Sequence, residues 1–206
     1  MTDSGKARTP PSLSSEVFGA VLEAARAGAE WAWELLVAEI DPVLRGYLRR
    51  QGAADPDDLA GEIWLQVARS IGRFSGEYSG FRSWVFTIAH HRIIDERRRR
   101  GRRREDPTAI EFLDAADTPV ESAESAAMET FDREEVDAIL STLSRDQREV
   151  MVLRVLGGFG ITEIAAIMGK TPGAVQSLQH RAIRRLRKNL TKGVGISSSP
   201  SVTEVN

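Results

Sequence analysis

The chain has 206 residues, of which 41% are hydrophobic and 28% charged, enough to bury one medium core or two small ones. It carries 28 basic and 30 acidic residues, for a formal net charge of −2, and no cysteine, which excludes disulfides and thiolate metal sites and favours a reducing compartment. No stretch approaches the roughly 20 apolar residues of a membrane-spanning helix, and the N-terminus lacks a signal-like apolar run, so we expect a soluble, cytoplasmic protein without membrane insertion.

The first part of the chain predicts a tail followed by helices. Residues 1–14 are rich in Ser, Thr, Pro and Gly and predict a disordered tail. Helical periodicity begins near Glu16 and strengthens through Trp31 and Leu36 to Ile40. Pro42 then predicts a helix boundary or a kink, followed by a second helical segment at 43–50.

The next helix has one apolar and one polar face. Acidic residues at 55, 57 and 58 around a proline predict its start, and Leu59, Ile63 and Val67 form its apolar stripe. The polar face either is simply solvated or binds a partner. The loop at 72–80, GRFSGEYSG, holds three glycines and two aromatic residues; such loops either connect helices or capture an unstacked base.

Residues 81–104, FRSWVFTIAHHRIIDERRRRGRRR, join an apolar half to an arginine block. A buried stripe is predicted for Phe81, Trp84, Val85, Ile88, Ala89 and Ile93. From Arg97 to Arg104 only Gly101 interrupts the arginines, and no core holds that many unpaired guanidinium groups. Because no acidic residue is interleaved, the block favours binding of nucleic acid or another polyanion over a solvated surface.

The charged residues change from basic to acidic at residue 105. Acidic residues recur up to Glu129 without one basic residue, among Ala, Ser, Thr and two prolines. We interpret 105–133 as an acidic flexible linker between two small helical domains, 15–104 and 134–192, and so predict an all-α fold.

The second domain predicts a helix-turn-helix. Ser144 and Gln147 match a capping box, and the helix that follows buries Val150, Leu153 and Val155 or Leu156 before Gly157 and Gly158 end it. A short helix, ITEIAAIM, ends at Gly169, and Thr171 and Pro172 begin a third helix that runs to about Leu190. A short helix, a glycine-containing turn and a longer basic helix make this motif.

The third helix presents polar groups suited to DNA. Its predicted buried stripe consists of Ala174, Val175, Leu178, Ala182, Ile183 and Leu186. The amides and hydroxyls of its N-terminal half are groups that read base edges, and the arginines of its C-terminal half are groups that hold phosphate. Residues 193–206 predict a second disordered tail.

Taken together, these motifs resemble the extracytoplasmic-function sigma factors of bacterial RNA polymerase, over about residues 24–190. DPDDLAGEIWLQVARSIGRF resembles the family's helix for core polymerase, and FRSWVFTIAHHRIIDERRR its promoter-melting helix. LSRDQREVMVLRVLGGFGITEIAAIMGKTPGAVQSLQHRAIRRLRK resembles its C-terminal promoter-reading domain. The resemblance implies promoter DNA, core polymerase and an anti-sigma protein as partners, and an acidic linker threaded through the polymerase channels.

The resemblance also assigns three sets of site residues. The first set docks on the clamp helices of the largest polymerase subunit: Asp57, Asp58, Glu62, Gln66 and Arg69. The second meets the −10 element, with the loop receiving a flipped base and the arginines holding the backbone: Phe74, Ser75, Glu77, Tyr78, Ser83, Trp84, Thr87, His90, His91, Arg97 and Arg98. The third lies in the major groove of the −35 element: Thr171, Gln176, Ser177, Gln179, His180, Arg181 and Arg184.

Some positions depart from the family pattern. Many members have Ser or Thr where Gly160 stands, and Lys and Arg where Gln176 and Leu178 stand. These departures leave the scaffold intact, but no −35 sequence preference is assigned.

Two other functions fit parts of the sequence. A stand-alone helix-turn-helix regulator predicts a palindromic site but leaves the linker and the arginine-ended domain unexplained. An enzyme would use the acids and histidines, yet there is no P-loop and no histidine pair at metal-binding spacing, so we expect no catalytic residue, metal or cofactor. The acidic stretch also predicts partial masking of the arginine block in the free protein, because Glu105, Asp106, Glu111 and Asp114 follow it directly.

Overall fold

The computed structural model describes residues 15–105 and 136–194, and all regular structure in these two ranges is helical. The prediction of an all-α fold is therefore confirmed. The two predicted tails and the predicted linker lie outside the described residues, except that Glu105 ends a helix and residues 193–194 end another. The predicted domain boundaries stay predictions.

The first domain contains four α-helices and one 3-10 turn. They are α1 (Ser15–Arg26), α2 (Glu30–Arg50), α3 (Pro56–Ser70), the 3-10 turn (Ile71–Arg73) and α4 (Tyr78–Glu105). Gly28, at φ 83°, forms the turn between α1 and α2, a break that the hydrophobic pattern did not predict. The core contains side chains from all four helices: Phe18, Val21, Leu36, Ile40, Leu44, Leu48, Ile63, Val67, Phe81, Val85 and Ile93.

Pro42 does not end a helix, so the predicted boundary is wrong. It lies inside α2, which continues to Arg50. A proline inside a helix costs about 3 kcal/mol or more, because it lacks an N–H and crowds the preceding turn. Leu44 and Leu48 beyond it are completely buried, and burying one such side chain gains about 1.5–3 kcal/mol. Packing on both sides of the proline thus outweighs its local cost.

The start of α3 is built as the sequence predicts. The Asp55 carboxylate accepts hydrogen bonds from the amides of Asp57 and Asp58, at 3.0 and 2.9 Å, and Pro56 takes the first helical position. The predicted apolar stripe faces the core: Leu59, Ile63 and Val67 are buried.

The second domain contains a helical stretch at 136–141 and three further helices, α5 (Arg145–Val155), α6 (Ile161–Ile167) and α7 (Pro172–Val194). The capping box is confirmed: Ser144 Oγ accepts from the Gln147 amide at 3.4 Å, and Gln147 Oε1 accepts from the Ser144 amide at 3.2 Å. Thr171 Oγ1 likewise accepts from the Ala174 amide, at 3.3 Å, at the start of α7. Gly160 is the N-cap of α6, where Glu163 accepts its amide hydrogen bond at 2.7 Å.

Two predictions of burial were wrong. Val155 or Leu156 was expected to be buried, but at the end of α5 they are 70% and 37% exposed. Ala174 is also exposed, and the buried stripe of α7 begins at Val175.

Helix α4 is buried on two sides. Phe81, Val85, Ile88, Ala89 and Ile93 face the core as predicted, while Trp84 is half-buried. A second side, with Phe86 and His90, is also buried, because the second domain packs against it through α5, α6 and the connecting turn. The two domains therefore form one packed body in this structure.

Candidate nucleic-acid interface

A groove of about 550 Å³ lies between α2 and α3. Three residues of the predicted polymerase-docking set line it, Asp57, Asp58 and Glu62. Its floor and rim are otherwise apolar, with side chains from both helices: Trp33, Val37, Trp64, Leu65 and Ala68. Leu65 is 58% exposed, which makes this surface a mixed apolar and acidic one rather than the polar face that the sequence predicted.

The remaining two residues of that set lie outside the groove. Gln66 turns toward α4, where its Oε1 accepts a hydrogen bond from Arg92 Nε at 2.8 Å. Arg69 is exposed near the end of α3. The structure thus brings the three acidic members to one groove, and Arg92 contacts both Gln66 and Glu62, the latter at 3.7 Å.

The loop before α4 is anchored by its aromatic residue. Phe74 is half-buried, stacks on Trp84 at a centroid distance of 5.3 Å and meets Phe81 edge to face, also at 5.3 Å. The Arg26 guanidinium donates to the Phe74 carbonyl oxygen. Ser75 and Glu77 remain exposed at the loop tip, so the tip rather than Phe74 is open to a ligand.

Two residues on α4 that were predicted to face the −10 element, Ser83 and His90, are in contact with the second domain. Ser83 Oγ lies 3.4 Å from Glu163 Oε1, and the neighbouring Arg82 donates to the Gly157 carbonyl oxygen at 2.6 Å. Phe86 packs edge to face on Phe159 at 5.0 Å, and the Arg82 guanidinium lies over the same Phe159 ring at 5.0 Å. We call these contacts, with those of Glu149 below, the interdomain interface.

Glu149 forms the most deeply buried polar contact of this interface. Its side chain is 3% exposed, accepts a hydrogen bond from the Tyr47 hydroxyl at 2.5 Å, and lies 2.6 Å from Nδ1 of His90. One carboxylate from the second domain thus joins two helices of the first. His90 is buried here, whereas its neighbour His91 is exposed.

The surroundings of Tyr47 keep its hydroxyl protonated. Burial, first, and the Glu149 carboxylate, second, raise the pKa of the Tyr47 phenol well above its ordinary value. The phenol therefore remains a hydrogen-bond donor to Glu149 throughout the physiological pH range.

Other members of the −10 set differ in how accessible they are. Thr87 donates to the Ser83 carbonyl oxygen at 2.8 Å within α4, and half-buried Tyr78 lies 3.5 Å from Glu39 through its hydroxyl. Arg97 is half-buried and donates to Gln51, while Arg98 is exposed beside Asp95 at 3.8 Å.

The predicted −35 residues lie at the start of α7 and along its first four turns. All of them are exposed except half-buried Gln179: Thr171, Gln176, Ser177, His180, Arg181 and Arg184. Arg181 Nε donates to the Ser177 carbonyl oxygen at 3.1 Å along the helix. This set is therefore accessible, in contrast to Ser83 and His90 on α4.

Sequence reasoning missed the residues that join the domains. Phe86 lies off the predicted apolar stripe of α4, and that extra apolar position was the available signal for a second buried side. Phe159 follows two glycines in a turn, and Glu149 occupies an ordinary helical position, so neither carried a periodic signal.

Across 15–105 and 136–194, no group of three or more His, Asp or Glu side chains is arranged to hold a metal ion. None of the helices described there is both long enough and apolar enough to span a membrane.

Two protein-family models match the chain. Residues 36–103 match sigma-70 region 2, which covers most of α2 to α4, and residues 133–186 match sigma-70 region 4, which covers the second domain.

Curated relatives match over most of the chain. The ECF RNA polymerase sigma factor BldN of Streptomyces coelicolor is 32% identical over 172 residues, 82% of this chain and 64% of that protein. The ECF RNA polymerase sigma factor SigD of Mycobacterium tuberculosis is 31% identical over 184 residues, 86% of each. The chain thus spans somewhat less than two thirds of BldN and most of SigD.

Two solved structures share the fold. One is CnrH in complex with the cytosolic domain of CnrY, with a TM-score of 0.61 and 23% identity over 84% of this chain and 96% of that one. The other is the sigma factor RpoE in complex with the anti-sigma factor NepR from Bartonella quintana, with a TM-score of 0.61 and 24% identity over 77% of this chain and 96% of that one.

Proposed function

Because this chain belongs to the extracytoplasmic-function group of sigma-70 RNA polymerase sigma factors, we propose that its two domains divide promoter recognition between them. The chain is an alternative sigma factor that directs RNA polymerase to promoters. In our proposal the first domain binds core polymerase and opens the −10 element, and α7 reads the −35 element. The observation that carries this is the match of both family models, in order, to the two domains.

The α2–α3 groove is the proposed contact with the polymerase clamp helices. Its acids, Asp57, Asp58 and Glu62, provide charge that steers association, and its exposed Leu65 provides apolar area to bury. Gln66 lies outside the groove and is hydrogen-bonded by Arg92, so it is the weaker candidate; Asp57 and Glu62 line the groove but also contact Arg45 and Arg92.

The proposed promoter contacts require the domains to separate. Ser83 and His90 cannot reach DNA while Glu163 and Glu149 cover them, whereas the α7 surface is already open. We propose that this packed arrangement is the resting form, and that polymerase binding holds the domains apart over two promoter elements. Linking two weak DNA contacts then raises affinity through effective concentration.

An anti-sigma protein is a further proposed partner, by analogy with the Bartonella quintana RpoE structure, which contains one. We also propose that the chain works in the cytoplasm, where the polymerase acts, and contributes no chemistry and no cofactor of its own.

The test is reconstituted transcription with core polymerase, followed by mapping of the start sites. We expect specific initiation that depends on this chain. Leu65→Ser should weaken binding to core polymerase by about tenfold to a hundredfold, since losing one buried leucine contact costs about 1.5–3 kcal/mol. Val155→Ser, which changes another exposed apolar residue, in the second domain, is the matched control and should bind core normally.

Two results would contradict the proposal. One is a tight, specific footprint of the chain alone on promoter DNA without competition for core polymerase, which would favour a stand-alone regulator. The other is the same loss of core binding in both variants, which would remove the groove as the docking surface.

A further inference from the structure

A cleft of about 320 Å³ separates the two domains where the end of α2 and the second half of α4 face α5. Both domains line it, and no aspartate or glutamate is among the lining residues: Gln51, Gly52, Arg97, Arg100, Gly101, Arg145 and Arg148. Two arginines come from each domain. The cleft is thus a basic site that exists only when the domains are packed together.

Neutral groups hold three of these arginines in place. Arg97 donates to the carbonyl oxygen of Gln51 and, at 2.9 Å, to its side-chain oxygen. Arg100 donates to the Gly52 carbonyl oxygen at 2.7 Å, and Arg148 Nε to the Leu140 carbonyl oxygen at 3.1 Å. Carbonyl groups orient the guanidinium planes but leave their positive charge in place.

Among the described residues, Glu96 and Glu149 are the carboxylates that contact or attract these arginines. Glu96 lies 3.4 Å from Arg100, while its other oxygen accepts from the Ala54 amide at 2.9 Å. Glu149, which Tyr47 and His90 contact, also attracts Arg97. The four guanidinium groups therefore outnumber these described carboxylates at the domain contact.

Arg97 shows how the cleft acts on a guanidinium. Burial, first, lowers the pKa of the Arg97 guanidinium below its ordinary value; Glu149 and Tyr47 raise this pKa, and Arg145 and Arg100 lower it. Arg145 thus places a like charge opposite Arg97 across the domain contact, and an anion in the cleft would offset this repulsion.

We propose that this interdomain cleft binds a compact phosphate anion of the pyrophosphate type, free or as the diphosphate group of a nucleotide. Guanidinium forks bind phosphate oxygens in pairs, which suits two arginines on each wall. The cleft volume lies at the low end for small-molecule sites, which favours a compact ligand. Gln51 adds a donor in the wall, since its buried Nε2 has no hydrogen-bond partner among the described residues.

The bound anion bridges the two domains and so favours the packed arrangement. Arg97 is also a proposed contact with the DNA backbone of the −10 element, so anion binding and promoter binding exclude each other. Only this competition rests on the proposed function. The site itself is independent of it, and binding to the isolated chain tests it without polymerase or DNA.

The experiment is calorimetric titration of the full chain with inorganic pyrophosphate and, separately, with ADP, at about 0.15 M salt to suppress long-range attraction. We expect one site per chain. Arg100→Gln and Arg145→Gln, one from each wall, should each weaken binding at least about tenfold, because each removes a charged hydrogen-bond donor. Arg73→Gln and Arg185→Gln remove the same charge from exposed positions of each domain and should change affinity less than about twofold.

The two ligands and the four variants distinguish the possible results. Equal binding of pyrophosphate and ADP supports a site that recognises phosphate alone, and tighter ADP binding supports a nucleotide as the source. Equal losses in all four variants would reduce the effect to general attraction by a basic surface and overturn the proposal. Absence of binding would also overturn the proposal. So would binding that appears only after Glu105, Asp106, Glu111 and Asp114 are changed to amides, because the acidic segment would then be the occupant of the cleft.

Discussion

Tyr47 is the residue at which burial and charge act together most strongly. It is completely buried and donates to Glu149, whereas Tyr78 is half-buried and has a weaker contact with Glu39. Burial chiefly raises the pKa of both phenols; the Glu149 carboxylate adds to the rise at Tyr47, and Arg82 partly offsets it at Tyr78. Because the chain has only two tyrosines, their ionisation can be followed separately.

The ordinary pKa of tyrosine is about 10. We predict that absorbance at the tyrosinate band rises in two steps above this pH. Tyr78 should ionise in the first step and Tyr47 in the second. A raised pKa in the folded state means that stability is fully present below the unfolded pKa, and is lost as pH rises from about 10 through the folded pKa. Tyr47→Phe should remove the later step, and Tyr78→Phe the earlier one. A single step near the ordinary pKa in the wild-type chain would show that Tyr47 is not held in this contact.

At the scale of elements, the turn between α5 and α6 has no room for a side chain at Gly157. A side chain at Gly157 would have its Cβ 2.5 Å from the Phe159 ring and 2.7 Å from the Leu153 carbonyl oxygen. The same Phe159 ring packs on Phe86 of the first domain. The turn thus fixes both the end of α5 and the aromatic contact between domains.

We predict that Gly157→Ala destabilises the chain by about 1–3 kcal/mol, the usual cost of overpacking, measured by urea denaturation. Gly173→Ala is the matched control, because nothing lies within 4 Å of its added Cβ and it occupies the first turn of α7. That variant should be neutral or more stable by up to about 1 kcal/mol. Equal stability of the two variants would contradict the steric argument.

The elements themselves were largely predictable from sequence, because helix starts depend on local chemistry. The caps at Asp55, Ser144 and Thr171 are where the residue types predict them. Of the two alternatives predicted at Pro42, a boundary or a kink, the boundary was wrong because the local rule was opposed by packing with distant residues, which a single sequence does not display. The contact of α4 with the second domain was missed for the same reason, since its partners lie at least 59 residues away in the chain.

At the scale of the whole molecule, the domain contact and the proposed promoter contact use the same side of α4. Glu149 holds that side through Tyr47 and His90, so it is the residue whose removal should open the molecule with least damage to either core. We predict that Glu149→Ala lowers the stability of the packed form by about 1.5–3 kcal/mol, the cost of losing a charged hydrogen-bond partner and leaving buried donors unpaired. The radius of gyration from solution scattering should rise.

The same variant should bind single-stranded −10 DNA more tightly than the wild-type chain, because the population of the open form limits binding. We expect a gain in affinity of about tenfold if the packed form dominates at rest. Asp146→Asn removes an acid from the same helix outside the interface, where it pairs with Lys170 at 3.0 Å within the domain, and should leave both measurements unchanged. An expanded Glu149→Ala chain whose DNA affinity stays at the wild-type level would mean that the covered side of α4 is not the DNA-binding side. An unexpanded chain would mean that Phe86, Arg82 and Phe159 suffice to hold the domains together.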